Sequence, residues 1–328
     1  MKLLDKETSQ IGMGCWAIGG PFFAGDDPLG WGEVDDAVST KTIHAALDHG
    51  IKLFDTASVY GAGHSERILG RALNGNHDIT IVSKIGLAFD EETKQLTGPD
   101  ADPQNVATAI DDSLKRLGRD HLDIMLLHLN ALPIDEAQPI FEVMEKQREQ
   151  GKIRGFGWST DFPDRAVSMA GMDGFACIEN AMNLFVDVPT LQKTIEDNEL
   201  VSLIRSPLAM GVLTGKFNAS AKVPQNDVRG LDQNYNDYFR DRKVPEKHLK
   251  NLDAVRELLQ TGERTLAQGA LCWLLAKSHC NLPIPGAKTV AQITENAGAM
   301  QHGPLPASVM AEIETLIDRE PEGPPRER

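Results

Sequence analysis

At residues 124–127 the chain carries the apolar run Ile124-Met125-Leu126-Leu127, and His128 follows it directly. A strand with one face in water would alternate apolar and polar side chains, and this run does not. Strands that are apolar on both faces belong to sheets covered on both sides, usually parallel sheets joined by crossover helices. The run therefore predicts an α/β fold with a buried parallel sheet.

Seven further apolar segments alternate with segments of helical periodicity, so the sequence predicts eight strands in all. Their bounds are 11–18, 51–56, 79–84, 122–128, 153–159, 175–179, 200–205 and 282–285. Ser39 and Ser65 are predicted to cap helices, and Gly118 is predicted to end one. Eight strand–helix units in 328 residues fit a single-domain (β/α)8 TIM barrel better than two Rossmann halves.

The barrel is predicted to span residues 1–319, because no linker or shift in composition divides them. Within it, the polar segment 218–248 contains Pro224, Gly230 and two tyrosines, which predicts a long loop. The segment 320–328, rich in proline and charge, is predicted to be a mobile tail.

The charge balance narrows the range of partners. The chain has 33 Lys and Arg against 48 Asp and Glu, a net charge of −15, which disfavours nucleic acids and anionic membranes. No apolar run approaches the roughly 20 residues of a membrane helix, and no signal peptide is expected. The four cysteines match no metal or redox spacing, so reduced, buried thiols and a cytoplasmic location are expected for Cys15, Cys177, Cys272 and Cys280.

Residues with acid–base capacity follow three consecutive predicted strands. The second strand ends at Asp55 and leads into a turn that contains Tyr60, the third ends at Lys84 and the fourth ends at His128. The carboxyl ends of the strands form the active site of a barrel. Each residue alone has an ordinary structural explanation, but four of them at one rim indicate catalysis.

These residue types suit the reduction of a carbonyl group. Hydride addition leaves negative charge on the oxygen, which must then receive a proton. A tyrosine hydroxyl has a pKa of about 10, and a neighbouring lysine ammonium favours its ionised form. A carboxylate would keep the lysine charged, and a histidine would donate a hydrogen bond to the substrate oxygen.

Several motifs resemble those of the aldo-keto reductases. Residues 54–66 read FDTASVYGAGHSE, residues 83–84 read SK, and residues 113–123 read SLKRLGRDHLD ahead of the pair LH at 127–128. The resemblance runs from about residue 11 to residue 301. It implies a (β/α)8 barrel, a nicotinamide cofactor, and a tetrad with Tyr60 as general acid, made of Asp55, Tyr60, Lys84 and His128.

The resemblance also implies which residues face the nicotinamide. Ser159 would bind its carboxamide, and Glu179 would face it in the place of the family's glutamine, although a carboxylate cannot donate to the amide oxygen unless protonated. Arg205 stands where many relatives carry an aromatic residue, and its flat guanidinium could stack on the ring. Thr160 and Met182 also depart from the family's usual asparagine and aromatic residue.

Two further segments are implied to bind the rest of the cofactor. Residues 205–216 match the family's pyrophosphate loop, in which backbone NH groups and Lys216 hold phosphate oxygens. Lys288 offers the charge that the 2′-phosphate of NADP requires, so NADP is the expected cofactor and no metal is expected. The residues implied to contact it are Ser159, Glu179, Arg205, Ser206, Leu208, Gly211, Leu213, Gly215, Lys216, Gly286, Lys288, Gln292, Glu295 and Asn296.

Arg205 and Glu179 are predicted to pair with each other. Both stand at the ends of adjacent predicted strands, and an unpaired carboxylate in a buried site would be costly. The alternative is that Glu179 turns to solvent while Arg205 contacts a phosphate.

Aromatic residues near the amino terminus are candidates for the wall of the substrate mouth, or for a plug on the barrel: Trp16, Phe22, Phe23 and Trp31. The acidic stretch 26–36 predicts a solvated loop, since its spacing is too irregular for a metal site.

The sequence thus favours an NADP-dependent oxidoreductase that reduces an aldehyde or ketone. Two other functions stay open. One is an aldolase or isomerase that forms a Schiff base at Lys84, and the other is an NADP-binding regulatory subunit. The sequence identifies neither the particular carbonyl substrate nor the oligomeric state.

Overall fold

The computed structural model describes residues 1–231 and 237–325. Eight parallel strands form one sheet in which each strand pairs with its neighbour in chain order. The strands are β1 (Met13–Gly14), β2 (Leu53–Asp55), β3 (Thr80–Ile85), β4 (Leu122–Leu127), β5 (Ile153–Ser159), β6 (Phe175–Ala181), β7 (Val201–Arg205) and β8 (Asn281–Pro283).

The sheet closes between its first and last strands. The backbone N of Gly12 donates to the carbonyl of Pro283 at 2.9 Å, and that of Gly14 donates to Pro285 at 3.1 Å. Glycine is required here, because a Cβ on Gly14 would lie 2.7 Å from the carbonyl oxygen of Ile284. The predicted (β/α)8 barrel is therefore confirmed.

Helices surround the sheet and follow most of its strands. Those in the described part of the chain are α1 (Asp36–Asp48), α2 (His64–Ala72), α3 (Pro103–Leu117), α4 (Ile134–Glu149), α5 (Pro163–Met169), α6 (Pro189–Asp197), α7 (Glu246–Leu259), α8 (Leu266–Lys277), α9 (Val290–His302) and α10 (Ala307–Leu316). None of these described helices is long and apolar enough to cross a bilayer.

The apolar run of β4 is buried on both of its faces, as the sequence predicts. Ile124 and Leu126 pack inside the barrel, whereas Met125 and Leu127 belong to the layer between the sheet and the helices. All four side chains are inaccessible to solvent. The amino end of the barrel is closed by a short hairpin that begins at Lys2, whose Leu3 joins the interior cluster.

Three local predictions are wrong. The first strand was expected over 11–18, but Trp16–Ile18 forms a 3-10 turn in which the N of Gly19 donates to the carbonyl of Trp16. Ser39 and Ser65 lie inside their helices. The side chain of Asp35 caps α1, and the Ser65 hydroxyl donates to the carbonyl of Cys15. Gly118 ends α3 in the left-handed conformation, as predicted.

A second, four-stranded sheet lies over the carboxyl end of the barrel. Its strands are Phe23–Ala24, Asp27–Pro28, Leu87–Asp90 and Gln95–Pro99, and the last two form a hairpin inserted after β3. None of these four short strands was among the eight predicted from the sequence.

The predicted long loop and the predicted tail are only partly tested by the structure. α7 begins at Glu246, so the last three residues of the predicted loop 218–248 are helical. Residues 232–236 of that loop, and residues 326–328 of the tail, lie outside the described residues. Farther along, Glu322 accepts a hydrogen bond from the backbone N of Thr190 at 3.0 Å. The mobility of the tail stays a prediction.

Candidate active site

A cavity of about 1580 Å³ opens where the barrel strands end. Asp55, Tyr60 and His128 line it, at the ends of β2 and β4 and in the turn after β2. Lys84 does not reach the wall of the cavity, because its side chain is fully buried beneath it. The structure thus brings the four predicted residues together, with the lysine as the deepest of them.

Lys84 is the centre of this cluster. Its Nζ lies 2.6 and 2.7 Å from the two carboxylate oxygens of Asp55 and 2.9 Å from the carbonyl oxygen of Thr56. The hydroxyl of Tyr60 accepts a longer hydrogen bond from the same Nζ, at 3.5 Å. The ammonium is therefore anchored by β2 and aimed at the tyrosine.

The turn after β2 holds Tyr60 between two aromatic groups. Gly61 and Gly63 have positive φ angles of 62° and 83°, which let the chain reverse tightly into α2. The ring of Tyr60 stacks on Trp16 at 6.0 Å between centroids and meets the edge of His128 at the same separation. These contacts fix the direction of the phenol.

Burial controls the charges of the cluster. It opposes the charge of Lys84, but Asp55 and Glu179 together outweigh it and raise the lysine's pKa above its usual value. Burial and Glu179 also raise the pKa of Asp55 well above its usual range, against the effect of Lys84. The pKa of Tyr60 is raised mainly by burial, so this tyrosine is held as a neutral phenol.

His128 is held neutral. Burial, followed by the charges of Lys84 and Arg205, lowers its pKa well below the usual value. Its Nδ1 is buried and has no hydrogen-bond partner among the residues that the structure describes. A neutral imidazole carries one N–H donor, which suits a hydrogen bond to a substrate oxygen.

The predicted pair of Arg205 and Glu179 is wrong. Arg205 binds both carboxylate oxygens of Asp161, at 2.7 and 2.6 Å, whereas Glu179 lies 3.1 Å from the Nζ of Lys84. The alternative fails too, since Glu179 is only 1% exposed. The reason is register: Ala181 of β6 is level with Arg205 of β7, so Glu179 lies two residues deeper in the barrel.

On the expected nicotinamide side, Ser159 faces the cavity, whereas Thr160 and Met182, two residues that depart from the family pattern, do not. Ser159 lines the cavity, and its hydroxyl donates to Glu179 at 3.3 Å. Thr160 is turned away, because its hydroxyl donates to the carbonyl of Asn130 at 2.7 Å. Met182 is fully buried in the core.

The loop after β7 is tightly wound. Ser206, Ala209, Met210 and Gly211 all have positive φ angles, and the backbone N of Ala209 and that of Gly211 donate to loop carbonyls at 2.9 and 2.8 Å. Lys216 lies against it, since a Cβ on Gly211 would be 3.2 Å from the lysine Nζ. The predicted contact residues that line the cavity here are Arg205, Ser206, Leu208, Gly211 and Lys216.

Two residues of that predicted set do not line the cavity. Leu213 is fully buried in the core behind the loop. Gly215 faces away as well, because a Cβ there would lie 2.5 Å from Leu266. They shape the loop rather than the wall of the cavity.

The five residues that the resemblance assigns to the adenosine of the cofactor all line the cavity and form its expected adenosine end: Gly286, Lys288, Gln292, Glu295 and Asn296. The side chain of Gln292 accepts from the backbone N of Lys288 at 2.8 Å. The Nζ of Lys288 donates to the carbonyls of Trp31 and Glu33, at 2.9 and 3.1 Å. Lys288 therefore ties the insert after β1 to the adenosine end.

Arg229 also lines the cavity, although the sequence did not predict it as a site residue. It lies in the long loop, is held by both carboxylate oxygens of Asp227, and covers the ring of Trp31 at 4.7 Å. Burial and then Arg229 lower the pKa of Lys216. The cations Lys216 and Arg229 fit a ligand with several phosphate charges. Little in the sequence indicated that Arg229 would join this site, since a single arginine in a polar loop shows no periodic pattern.

Both apolar and polar residues line the mouth of the cavity. Trp16, Phe22 and Trp31 line it as predicted, but Phe23 does not. The apolar lining also includes Leu87 and Leu96 of the second sheet. Polar residues such as Asp187 and His248 line the cavity too, together with the carboxyl-terminal residues 320–325.

The four cysteines are free and buried, as predicted. In the described part of the chain, no group of three or more His, Cys, Asp or Glu residues is arranged so that it could hold a metal ion.

Comparisons with known proteins agree with this geometry. The chain is 30% identical to the glycerol dehydrogenase AKR11B4 of Gluconobacter oxydans, with a TM-score of 0.79 over 96% of this chain and 94% of the other. It is 29% identical to the aldo-keto reductase yakc of Schizosaccharomyces pombe, named for NADP(+), over 92% of this chain and 86% of that protein. It is 27% identical to the NADH-specific methylglyoxal reductase of Escherichia coli, over 96% and 97%.

The model of the aldo/keto reductase family matches residues 10–318, which is nearly the whole chain. The tetrad, the loop after β7 and the adenosine end all lie within this match. The chain therefore belongs to the aldo/keto reductase family of oxidoreductases.

Proposed function

We propose that this protein reduces an aldehyde or ketone to an alcohol with NADPH, and that Tyr60 is the general acid. One observation carries the proposal. The hydroxyl of Tyr60 lies on the cavity wall, 3.5 Å from the Nζ of a lysine that Asp55 holds in place. This arrangement supports the proposal, because a proton donor beside a buried positive charge suits a carbonyl oxygen that gains negative charge.

Each residue has a task in this reaction. NADPH supplies the hydride, and Ser159 and the loop after β7 would hold its nicotinamide and pyrophosphate. The neutral His128 donates a hydrogen bond that orients the substrate oxygen. Tyr60 transfers its hydroxyl proton to that oxygen as the new C–H bond forms. Lys84 stabilises the phenolate that is left, and Asp55 keeps the lysine charged.

The preference for NADP rests on the adenosine end. Lys288 lies on the cavity wall beside Gln292, and burial lowers its pKa, so an anion would be a favourable neighbour. A relative named for NADP(+) supports this choice, whereas another relative is named as specific for NADH. NADPH is favoured because the Lys288 ammonium, in residues 1–231 and 237–325, donates to two backbone carbonyls and forms no salt bridge, so its charge can still meet that of a phosphate.

A Schiff-base mechanism at Lys84 fits the site less well. The amine would have to be neutral and reach the substrate, yet it is fully buried, bound to Asp55, and absent from the cavity wall. Borohydride trapping with a carbonyl substrate should therefore leave Lys84 unmodified. A regulatory role would use the same cofactor site without turnover, so the measurement of turnover distinguishes it.

The decisive experiment is a panel of carbonyl compounds, with NADPH oxidation as the readout and methylglyoxal among the probes. Oxidation of glycerol by NADP(+) is the matching test in the reverse direction. Turnover that Tyr60→Phe abolishes would support the proposal. NADPH binding without turnover on any probe would favour the regulatory role.

The four free thiols suit the reducing cytoplasm, which we propose as the location.

A further inference from the structure

The Lys84 ammonium lies between two carboxylates rather than beside one. Its Nζ is 2.6 Å from Asp55 and 3.1 Å from the Oε2 of Glu179. The three side chains are 0%, 5% and 2% exposed for Lys84, Asp55 and Glu179, so water does not screen them. The Oε2 of Glu179 has no hydrogen-bond partner in the described residues, so its contact with Lys84 is a charge–charge contact.

Glu179 gives this cluster a second carboxyl group beside the ammonium. The family's glutamine at this position would carry no charge, so the glutamate adds negative charge that the family's usual cluster lacks. Charges interact strongly where water is excluded. Glu179 therefore changes the electrostatic field at Tyr60, whose hydroxyl lies 3.5 Å from the same Nζ.

We propose that Glu179 is a positioning residue of the proton-transfer site, which holds Lys84 between two carboxylates and thereby keeps the Tyr60 hydroxyl in its protonated form. This inference rests on the proposed role of Tyr60 as general acid. It predicts an enzyme whose tyrosine stays a proton donor to higher pH than a lysine–aspartate pair alone would allow.

The remaining charges around Tyr60 do not replace this effect. Arg205 is bound to Asp161, so its charge is largely balanced. His128 is neutral, since burial lowers its pKa. The thiols of Cys15 and Cys177 are also close to this cluster. Burial raises the pKa of each, so both stay uncharged.

The direction of the effect follows from the signs of the charges. Burial is the main cause of the raised pKa of Tyr60, Lys84 opposes it, and Asp55 and Glu179 both add to it. Removing the negative charge at position 179 leaves the ammonium free to stabilise the phenolate. The neutral variant should therefore ionise Tyr60 at lower pH.

The test measures the ionisation of Tyr60 directly, without turnover. The chain has three tyrosines, so subtracting the tyrosinate absorbance of Tyr60→Phe from that of the full protein isolates one of them. Glu179→Gln keeps the shape of the side chain and removes its charge. Glu91→Gln, at an exposed carboxylate on the second sheet's hairpin, is the matched control for net charge.

We expect Tyr60 to ionise above about pH 10 in the full protein. Glu179→Gln should lower this midpoint by at least about one pH unit, the usual effect of removing a nearby like charge. Glu179→Asp should stay closer to the full protein, and Glu91→Gln should not differ from it. An unchanged midpoint in Glu179→Gln would overturn the proposal. So would a midpoint of about 9 or lower in the full protein, whatever the variants do.

A second readout separates this role from cofactor binding. In Glu179→Gln the alkaline loss of kcat for carbonyl reduction should move to lower pH by the same amount as the Tyr60 midpoint. A change in the KM for NADPH alone, with the same pH profile, would mean that Glu179 only contacts the cofactor. If no carbonyl is reduced at all, the proposed function fails, but the absorbance titration still decides the role of Glu179.

Discussion

Arg205 and Asp161 form a two-point ion pair, with one guanidinium nitrogen 2.7 and 2.6 Å from the two carboxylate oxygens. Asp161 also accepts a hydrogen bond from the backbone N of Ala181 at 2.8 Å. The pair thus joins the ends of β6 and β7 at the rim. Because Asp161 neutralises Arg205 at the rim, the carboxylate of Glu179 has Lys84 as its ion-pair partner instead.

This relationship can be measured by double-mutant cycles on the free energy of unfolding. The cycle of Arg205→Met with Asp161→Asn should give a coupling of about 1–3 kcal/mol, as expected for partly buried contact pairs. The cycle of Arg205→Met with Glu179→Gln, which shares one variant, should be additive within about 0.5 kcal/mol. A larger coupling in the second cycle than in the first would contradict the assignment.

Tyr60→Phe should remove the proton donor and leave the cofactor site intact. Turnover should fall by about 10²–10⁴-fold, the usual contribution of a general acid. NADPH affinity, followed by fluorescence titration, should change little, because Tyr60 lies outside the pyrophosphate and adenosine segments. Turnover that survives within a few-fold would show that another residue supplies the proton.

Lys288→Ala should reduce the preference for NADPH over NADH. The variant loses a charged contact to the 2′-phosphate, typically about 1.5–3 kcal/mol, so the ratio of affinities should fall by about 10- to 100-fold. It also releases the carbonyls of Trp31 and Glu33, but that affects both cofactors alike. Lys41→Ala, on the exposed face of α1, should leave the ratio as it is. An unchanged ratio in Lys288→Ala would place the phosphate elsewhere.

Gly61→Ala should be far more damaging than Gly75→Ala. Both glycines have positive φ angles, but a Cβ on Gly61 would lie 1.8 Å from the carbonyl oxygen of Gly19, whereas one on Gly75 meets nothing within 4 Å. Gly75→Ala should therefore cost about 1–2 kcal/mol of unfolding free energy, for the left-handed backbone alone. Gly61→Ala should cost at least about 2 kcal/mol more and lower turnover, because the same turn orients Tyr60. Urea unfolding of both variants measures the difference.

His128 should make the protein less stable in mild acid. Burial, Lys84 and Arg205 depress its pKa in the folded state, so the unfolded chain binds its proton first as the pH falls. The stability that neutral His128 allows is present above about pH 6.5 and is lost progressively below it. His128→Gln should reduce the slope of unfolding free energy against pH between about 6.5 and 5. Equal slopes in both proteins would mean that His128 has the same pKa in the folded and unfolded states, which would contradict the depressed pKa.

The fold could be predicted because strands buried on both faces have continuous apolar sequences. In β4, for example, Ile124 and Leu126 face the inside of the barrel, and Met125 and Leu127 face the helices. The tetrad could be predicted because its members end or follow strands. The partners of Glu179 and Arg205 could not. The predicted sixth strand stopped at residue 179, but β6 continues to Ala181, and those two residues decide whether Glu179 reaches the rim or the interior.

The contacts of Lys288 have a consequence for how cofactor affinity is to be understood. Its ammonium already has two carbonyl acceptors, from Trp31 and Glu33, before any phosphate arrives. A 2′-phosphate must either displace these carbonyls or share the ammonium with them. The free energy of NADPH binding then reflects an exchange of contacts. It is therefore less favourable than it would be if the phosphate met a lysine without partners. Substitutions in the insert after β1 that weaken this tie should tighten NADPH binding, even though they remove contacts from the protein.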